Sequence, residues 1–380
     1  MRSAIFVWVR FFLVVTLGIS SSLFDLSNAQ AAPEAHLGPV LYGVTQGEAS
    51  VDAQGAANYS IAVEIPPGTN GMVPNLSLRY NSLEKNGLLG MGWQIDGLDT
   101  KITRCAQTID QDGQSRAVDY SAEDRFCLNG RRLSVVGGVY GADGSEYRTE
   151  LDEYSRIIAH GSTTGNPEYW IVERKDGVTQ TFGGTSDARM EVKGGSEHSL
   201  WYLSKSEDEL GNYYNVSYTR PGTIATITDS YIRPNRIDYT GNAGQSLSPY
   251  ASIRFEYEAR TDITYRHELD KPIYADKRLK NIKSFVGETL VMDYQLSYDY
   301  SPSSKRSRLI SLRKCSFGGY CTEPSIFNWS DSGDGSNTLS GIDSTGPSML
   351  YGTIMGDFNG DGRTDVLQQS SLYYNGDANL

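Results

Sequence analysis

Trp170-Ile171-Val172-Glu173-Arg174-Lys175-Asp176-Gly177-Val178-Thr179-Gln180-Thr181-Phe182 is the stretch on which the fold assignment turns. Short strand-like runs flank Asp176-Gly177, a dipeptide suited to a tight turn that needs positive φ, so the segment reads as a β-hairpin. The same form returns at Leu203 to Tyr218 around Leu210-Gly211-Asn212, and at Ile282 to Tyr294 around Gly287-Glu288. Leu76-Ser77-Leu78-Arg79-Tyr80 and Ile253-Arg254-Phe255-Glu256-Tyr257 alternate apolar and polar residues at the strand period. This texture holds from about Gly43 to Trp329, with no convincing helix longer than two or three turns. The repeat is one of form rather than of strict period, so the economical expectation is an all-β chain of successive antiparallel hairpins.

Composition agrees with that reading. The chain has 380 residues, among them 40 glycines and 25 tyrosines, a mix suited to many strands joined by tight turns. Its length is ample for a buried core. Lys and Arg number 34 against 46 Asp and Glu, a net charge of −12. That balance argues against nonspecific nucleic-acid binding, which needs clustered cations to displace phosphate counterions. Charged residues at 21% and aromatics at 11% also argue against broad disorder.

The first residues have the grammar of export. Arg2 supplies a positive start, Arg10 interrupts the apolar stretch from Ala4 to Ile19, and Phe11 to Ile19 is short for a membrane span. Ala29-Gln30-Ala31 offers the small-x-small pattern of signal cleavage, so residues 1–31 are expected to be a signal peptide. The alternative is an uncleaved N-terminal anchor. No second apolar segment follows, so a stable membrane span after cleavage is not expected, and the protein is expected to be secreted, periplasmic or at the cell surface. Cys105, Cys127, Cys315 and Cys321 all lie beyond the cleavage point and are even in number, which fits disulfides. Proximity favours Cys105 with Cys127 and Cys315 with Cys321, although four cysteines allow three pairings. Zinc is the weaker alternative, because no Cys-x-x-Cys occurs and His36, His160, His198 and His267 are scattered.

A series of motifs follows in fixed order: Gly55-Ala56-Ala57-Asn58-Tyr59-Ser60-Ile61, then Ile65-Pro66-Pro67-Gly68-Thr69-Asn70-Gly71, then Tyr80-Asn81-Ser82, then Asn86-Gly87-Leu88-Leu89-Gly90-Met91-Gly92-Trp93. Ile102-Thr103-Arg104-Cys105, Asp124-Arg125-Phe126-Cys127-Leu128-Asn129-Gly130 and Gly144-Ser145-Glu146-Tyr147-Arg148-Thr149-Glu150 complete it. In this order, from about residue 43 to about 330, the chain resembles the N-terminal domain of the Salmonella virulence plasmid B protein, which also opens the B subunits of insecticidal toxin complexes. The resemblance implies a secreted or toxin-associated β-rich module. It further implies a share in a hollow shell related to Rhs/YD-repeat proteins, with other toxin-complex subunits or a C-terminal toxin cargo as partners. Read by residue type alone, the motifs are structural. Prolines and glycines fix loops, Leu89 and Trp93 bury apolar area, and none is a nucleophile, base or metal cluster.

Chemistry concentrates near the end of the sequence. Asp357-Phe358-Asn359-Gly360-Asp361-Gly362-Arg363-Thr364-Asp365 puts side-chain oxygens at loop positions 1, 3, 5 and 9, with glycine at 6 and a carbonyl at 7, the pattern of a calcium loop. Gln368 stands where an EF-hand has its bidentate Glu, and Thr353-Ile354-Met355 and Val366-Leu367 read as flanking strands rather than helices. The stretch instead resembles an FG-GAP/VCBS repeat of integrin-type β-propellers. That resemblance implies one Ca2+ held by Asp357, Asn359, Asp361, the Arg363 carbonyl and Asp365. The plain alternative is a metal-free Asp/Gly turn.

The expected organisation is a signal at 1–31, a β-rich domain at 32–332, a Gly/Ser/Asp-rich linker at 333–348 and a partial repeat at 349–380. A propeller blade takes about 40 to 60 residues and a ring at least four blades, so the sequence reads as ending inside a domain. Carboxylate clusters at Glu150-Leu151-Asp152-Glu153 and Glu207-Asp208-Glu209, and His267-Glu268 and Ser60, lack the context of a hydrolase. The expectation is therefore a non-enzymatic scaffold or shell module, with a calcium-dependent adhesin or glycan-binding module as the alternative suggested by the tyrosines.

Overall fold

The computed structural model describes residues 43, 45–161, 165–192, 196–219, 232–268 and 271–329, without the side chains of 266–273, and the backbone of three short strands between 354 and 373. The expected signal peptide at 1–31 and the expected linker at 333–348 lie outside the described residues. Helix is confined to the four residues Ile109–Asp112 and three 3-10 turns among the described residues, so the all-β expectation holds.

The chain opens with β1 (Glu48–Val51), β2 (Ala57–Ala62) and β3 (Ser77–Asn81). A two-residue ladder, β4 (Asn86–Gly87) with β5 (Gly90–Met91), leads to β6 (Trp93–Asp96). Strands β1, β2, β3 and β6 form one four-stranded antiparallel sheet. Next come β7 (Lys101–Cys105), β8 (Arg125–Leu128), β9 (Arg131–Gly137), β10 (Glu146–Thr149), β11 (Arg156–His160), β12 (Tyr169–Glu173) and β13 (Thr179–Phe182), each antiparallel to the one before. After the short β14 (Arg189–Glu191), the ten-residue β15 (His198–Glu207) closes the ring. Its first part pairs with β7, Trp201 opposite Ile102, and its second part with β13, Thr181 opposite Lys205. The result is a closed eight-stranded antiparallel barrel. Closure removes the open edges that an eight-stranded ribbon would otherwise expose.

Period-two alternation fills this barrel. In β12, Trp170 and Val172 point inward and are fully buried while their neighbours are not. They join Ile102, Phe126, Tyr147, Phe182 and Trp201 in one core. Phe126 meets Trp170 edge-on at 4.8 Å and Trp201 at 5.7 Å, the offset geometry that aromatic quadrupoles favour. The Asp176-Gly177 turn of the opening hairpin is present, with Gly177 at φ 79 and Val172 opposite Gln180.

Beyond the barrel, β16 (Asn212–Thr219), β17 (Arg233–Asn242), β18 (Ala251–Glu268), β19 (Lys271–Val286), β20 (Thr289–Tyr300), β21 (Ser307–Ser316) and β22 (Ser325–Ile326) run as an antiparallel meander. Leu78, Leu89, Trp93 and Ile95 of the N-terminal segment share a second core with Ile237, Ile253, Ile282, Leu296 and Leu312 of the meander. Tyrosine has a specific use here. Tyr239, Tyr257 and Tyr298 donate their hydroxyls to the carbonyls of Pro66, Pro234 and Leu279, and the Glu64 N–H donates to the Tyr294 hydroxyl. Burial raises the Tyr239 and Tyr294 phenols to about 12. These four rings are structural, in keeping with the reading of the tyrosines as strand residues. A separate small sheet comprises β23 (Ile354–Gly356), β24 (Asp365–Gln368) and β25 (Ser371–Tyr373).

Candidate functional site

The two ends of the barrel are built differently. At one end three connections converge on Arg104, whose side chain is buried in β7. Its guanidinium donates to the carbonyls of His198, Ser121 and Gly165, to Asn166 Oδ1 and to Asp124 Oδ2. Arg104 lies 5.5 Å from the Phe126 ring centre and 6.0 Å from that of Trp201, so it also lids the aromatic core. Burial pushes the Asp124 carboxyl above its ordinary range, and the N–H of Asp119 and the charge of Arg104 only partly offset it. The long connection between β7 and β8 is fixed at its base by the Cys105–Cys127 disulfide. Within it Asp112 accepts from Arg125 and Arg132. Burial alone would raise the Asp112 carboxyl, but the Thr108 N–H and these two arginines hold it at about 2.

The opposite end is open. The turn at Asn129–Gly130, the segment 150–155 and the turn after Glu173 leave a groove of about 500 Å3, bordered by Leu128 and Val172 and rimmed by Tyr154, Arg174, Lys175 and Gln180. Tyr154 has φ 59, a left-handed conformation that costs a non-glycine residue about 1–2 kcal/mol. Asp152 Oδ1 accepts the Tyr154 N–H at 2.7 Å, and Thr149 Oγ1 bonds to Leu151 and Glu153 on either side. The ring is 71% exposed, and Lys175 Nζ lies 5.6 Å from its centre.

A third polar cluster joins the N-terminal sheet to the meander. Ala259 pairs with Lys277 and Thr264 with Ala275, so Arg260 to Ile263 bulge out of β18 with only Asp276 opposite them. The bulge turns Arg260 and Asp262 onto the Asn86-to-Trp93 motif. Arg260 donates to the Gly87 carbonyl and to both Asp262 oxygens, and Asp262 accepts from Asn86 and from the Ser307 N–H and hydroxyl. Burial opposes ionisation of Asp262, yet these donors outweigh it and hold the carboxyl well below the usual range. Gly90 has φ 86, and a Cβ there would lie 2.6 Å from the Ser307 carbonyl oxygen, so only glycine fits this approach.

The four cysteines pair as proximity favoured, Cys105 with Cys127 and Cys315 with Cys321. Asp357, Asn359, Asp361 and Arg363 lie outside the described residues, and of Asp365 only the backbone is described, in β24 opposite Gly356. The flanking strands of the expected calcium loop are thus present, paired as a hairpin. Among the described residues no group of three or more His, Cys, Asp or Glu is placed to hold a metal ion. The acidic clusters serve the fold: Glu207 pairs with Lys205, Asp208 accepts from Leu210 and Asn212, and Glu153 pairs with Arg131. His198 is buried beside Trp201, and burial lowers its pKa, leaving it neutral at pH 7. The side chains of His267 and Glu268 lie outside the described residues. Arg104 falls in the motif Ile102-Thr103-Arg104-Cys105, whereas Tyr154 and the Arg260–Asp262 bulge carry no sequence motif. The only trace of Tyr154 is Asp152 two residues earlier, the spacing of an Asx turn.

Fold and site together define a β-barrel joined to a β-sandwich, in which the buried charges tie loops and sheets together. The profile of the Salmonella virulence plasmid 65kDa B protein family (SpvB) matches residues 51–322, and the chain belongs to that family. The fold recurs in the crystal structure of TcdB2-TccC3, with 18% identity and a TM-score of 0.65 over 88% of this chain and 19% of that one. It recurs in the Photorhabdus luminescens Tc holotoxin pore, with 18% identity and a TM-score of 0.64 over 91% and 19%. The N-terminal domain of the effector SpvB from Salmonella typhimurium strain LT2 matches with 19% identity and a TM-score of 0.55 over 68% of this chain and 98% of its own. The chain thus spans about a fifth of the toxin-complex chains that it matches. No curated protein matches it in sequence. No helix among the described residues is long and apolar enough to cross a membrane.

Proposed function

We propose that this chain is an exported, non-catalytic module of a toxin-complex type of assembly, acting as a scaffold that joins further subunits or encloses a toxin cargo. The observation that carries the reading is the recurrence of this barrel and sandwich, over nearly the whole chain, inside the TcdB2-TccC3 and Tc holotoxin structures. The use of buried charge supports it, because Arg104, Asp112, Arg260 and Asp262 are all engaged in holding the fold. The segment Asp357 to Asp365 is read as a calcium loop of an FG-GAP/VCBS-type repeat. Its oxygen spacing and the pairing of Gly356 with Asp365, which brings the loop ends together, support that reading. The test is co-expression with the matching toxin-complex A and C components, followed by size-exclusion chromatography. Stable co-elution is the expected result, and folded protein that elutes alone in every combination overturns the proposal.

A further inference from the structure

The scaffold reading does not rest on the groove at the open end of the barrel, and the chemistry of that groove points to a ligand. Barrel mouths are common ligand sites, and a groove of about 500 Å3 lies within the usual range for small-molecule pockets. Leu128 and Val172, which belong to the barrel core, border it, and the rest of its lining is mainly polar. Tyr154 is held there at positive φ by the Asp152 Oδ1 bond and is 71% exposed, so its side chain is displayed rather than packed in the core. An exposed aromatic face beside polar side chains suits a sugar ring, which pairs a C–H face with hydroxyls. Lys175 stands by that ring and Gln180 beside it, bringing an ammonium donor and an amide that both donates and accepts. The rim balances Asp152 and Glu153 against Arg174 and Lys175, so a ligand of either charge meets repulsion as well as attraction. A neutral polyhydroxyl ligand uses donors and acceptors alike.

We infer that the open end of the barrel binds a neutral oligosaccharide, with Tyr154 as the stacking platform and Lys175, Arg174, Gln180 and Asp152 as hydroxyl partners. This goes beyond the scaffold reading and does not depend on it. The experiment is saturation-transfer NMR on the whole protein with neutral trisaccharides of glucose, galactose, mannose and N-acetylglucosamine, with sialyllactose and an alanine-rich peptide as alternative ligands. At least one neutral trisaccharide is expected to bind. Tyr154→Ala is expected to weaken that binding tenfold or more and Lys175→Ala severalfold, while Val51→Ser, on the exposed edge strand β1, leaves it unchanged. Near-UV circular dichroism checks that each variant is folded, and Tyr154→Phe, which keeps the ring, is expected to retain most of the binding. Transfer to none of the neutral sugars, transfer only to sialyllactose or the peptide, or binding that folded Tyr154→Ala does not weaken each overturns the inference.

Discussion

Among the described residues, two arginine–aspartate knots have both partners almost fully buried, and they behave in opposite ways. Arg104 and Asp124 seal one end of the barrel with side chains 1% and 2% exposed, and Arg260 and Asp262 lock the N-terminal motif onto the meander with side chains 1% and 3% exposed. Burial is therefore the same, yet the Asp124 carboxyl is shifted up and that of Asp262 down. The difference is hydrogen bonding. Asp124 takes one contact from Arg104, at 3.3 Å, and two from the backbone N–H groups of Asp119 and Tyr120, whereas Asp262 takes two from Arg260, two from Ser307 and one from Asn86. A buried carboxylate stays ionised only when enough donors replace its water. In the barrel Arg104 spends most of its donors on backbone carbonyls, so its aspartate is left short. Joining loops and stabilising a charge compete for the same five N–H groups.

The sharpest break of this comparison is removal of each arginine. Arg260→Ala strands the fully engaged Asp262 and is expected to cost about 4–5 kcal/mol. Arg104→Ala is expected to cost less, about 3 kcal/mol, because burial shifts the Asp124 carboxyl upward and it takes up a proton more readily than Asp262. Urea unfolding at pH 7 ranks the two, and equal losses would refute the distinction. Gly90→Ala tests the second knot from its backbone side. The methyl group meets the Ser307 carbonyl at positive φ, for an expected loss of about 2–3 kcal/mol, read as a lowered Tm.

Acid separates the knots by sign. Depressed pKa values mean that Asp262 and Asp112 contribute stability that is present above the ordinary carboxylate pKa of 3.8 and lost as pH falls below it, toward about 2 for Asp112. The raised Asp124 does the reverse: its contribution is full below 3.8 and is lost as pH rises through its folded value. Asp262→Asn is therefore expected to flatten the loss of stability between pH 4 and 2, and Asp124→Asn to leave it in place, as followed by tryptophan fluorescence. The smallest effect belongs to the proposed metal. Chelation, or Asp361→Ala, is expected to raise protease sensitivity within residues 350–370 and to leave the Tm of the barrel and sandwich unchanged.

Legibility followed the range of the forces involved. The hairpin at Trp170 to Phe182 could be read because its signals, alternation and Asp176-Gly177, lie within a few residues of each other. The disulfide partners were legible because Cys105 and Cys127 sit on adjacent strands, β7 and β8, and Cys315 and Cys321 bound one short loop. The Asn86-to-Trp93 motif was recognisable as a motif, but its reason was not. Gly90 is required by Ser307 and Asn86 by Asp262, residues far along the chain and brought near only by folding. Tyr154 is one tyrosine among 25, and apart from Asp152 two residues earlier its exposure and positive φ leave no mark in the sequence.

Local chemistry in the sequence determined the strand content, the turns, the cysteine pairs and the acidic balance, because period-two burial and turn glycines act between near neighbours. Closure of the barrel was decided only in three dimensions. It depends on β15 being long enough to pair with β7 along one part and β13 along another, a register that no single hairpin encodes. Closure also gave the barrel its two ends, and the loops that met there made one a sealed arginine knot and left the other an open groove.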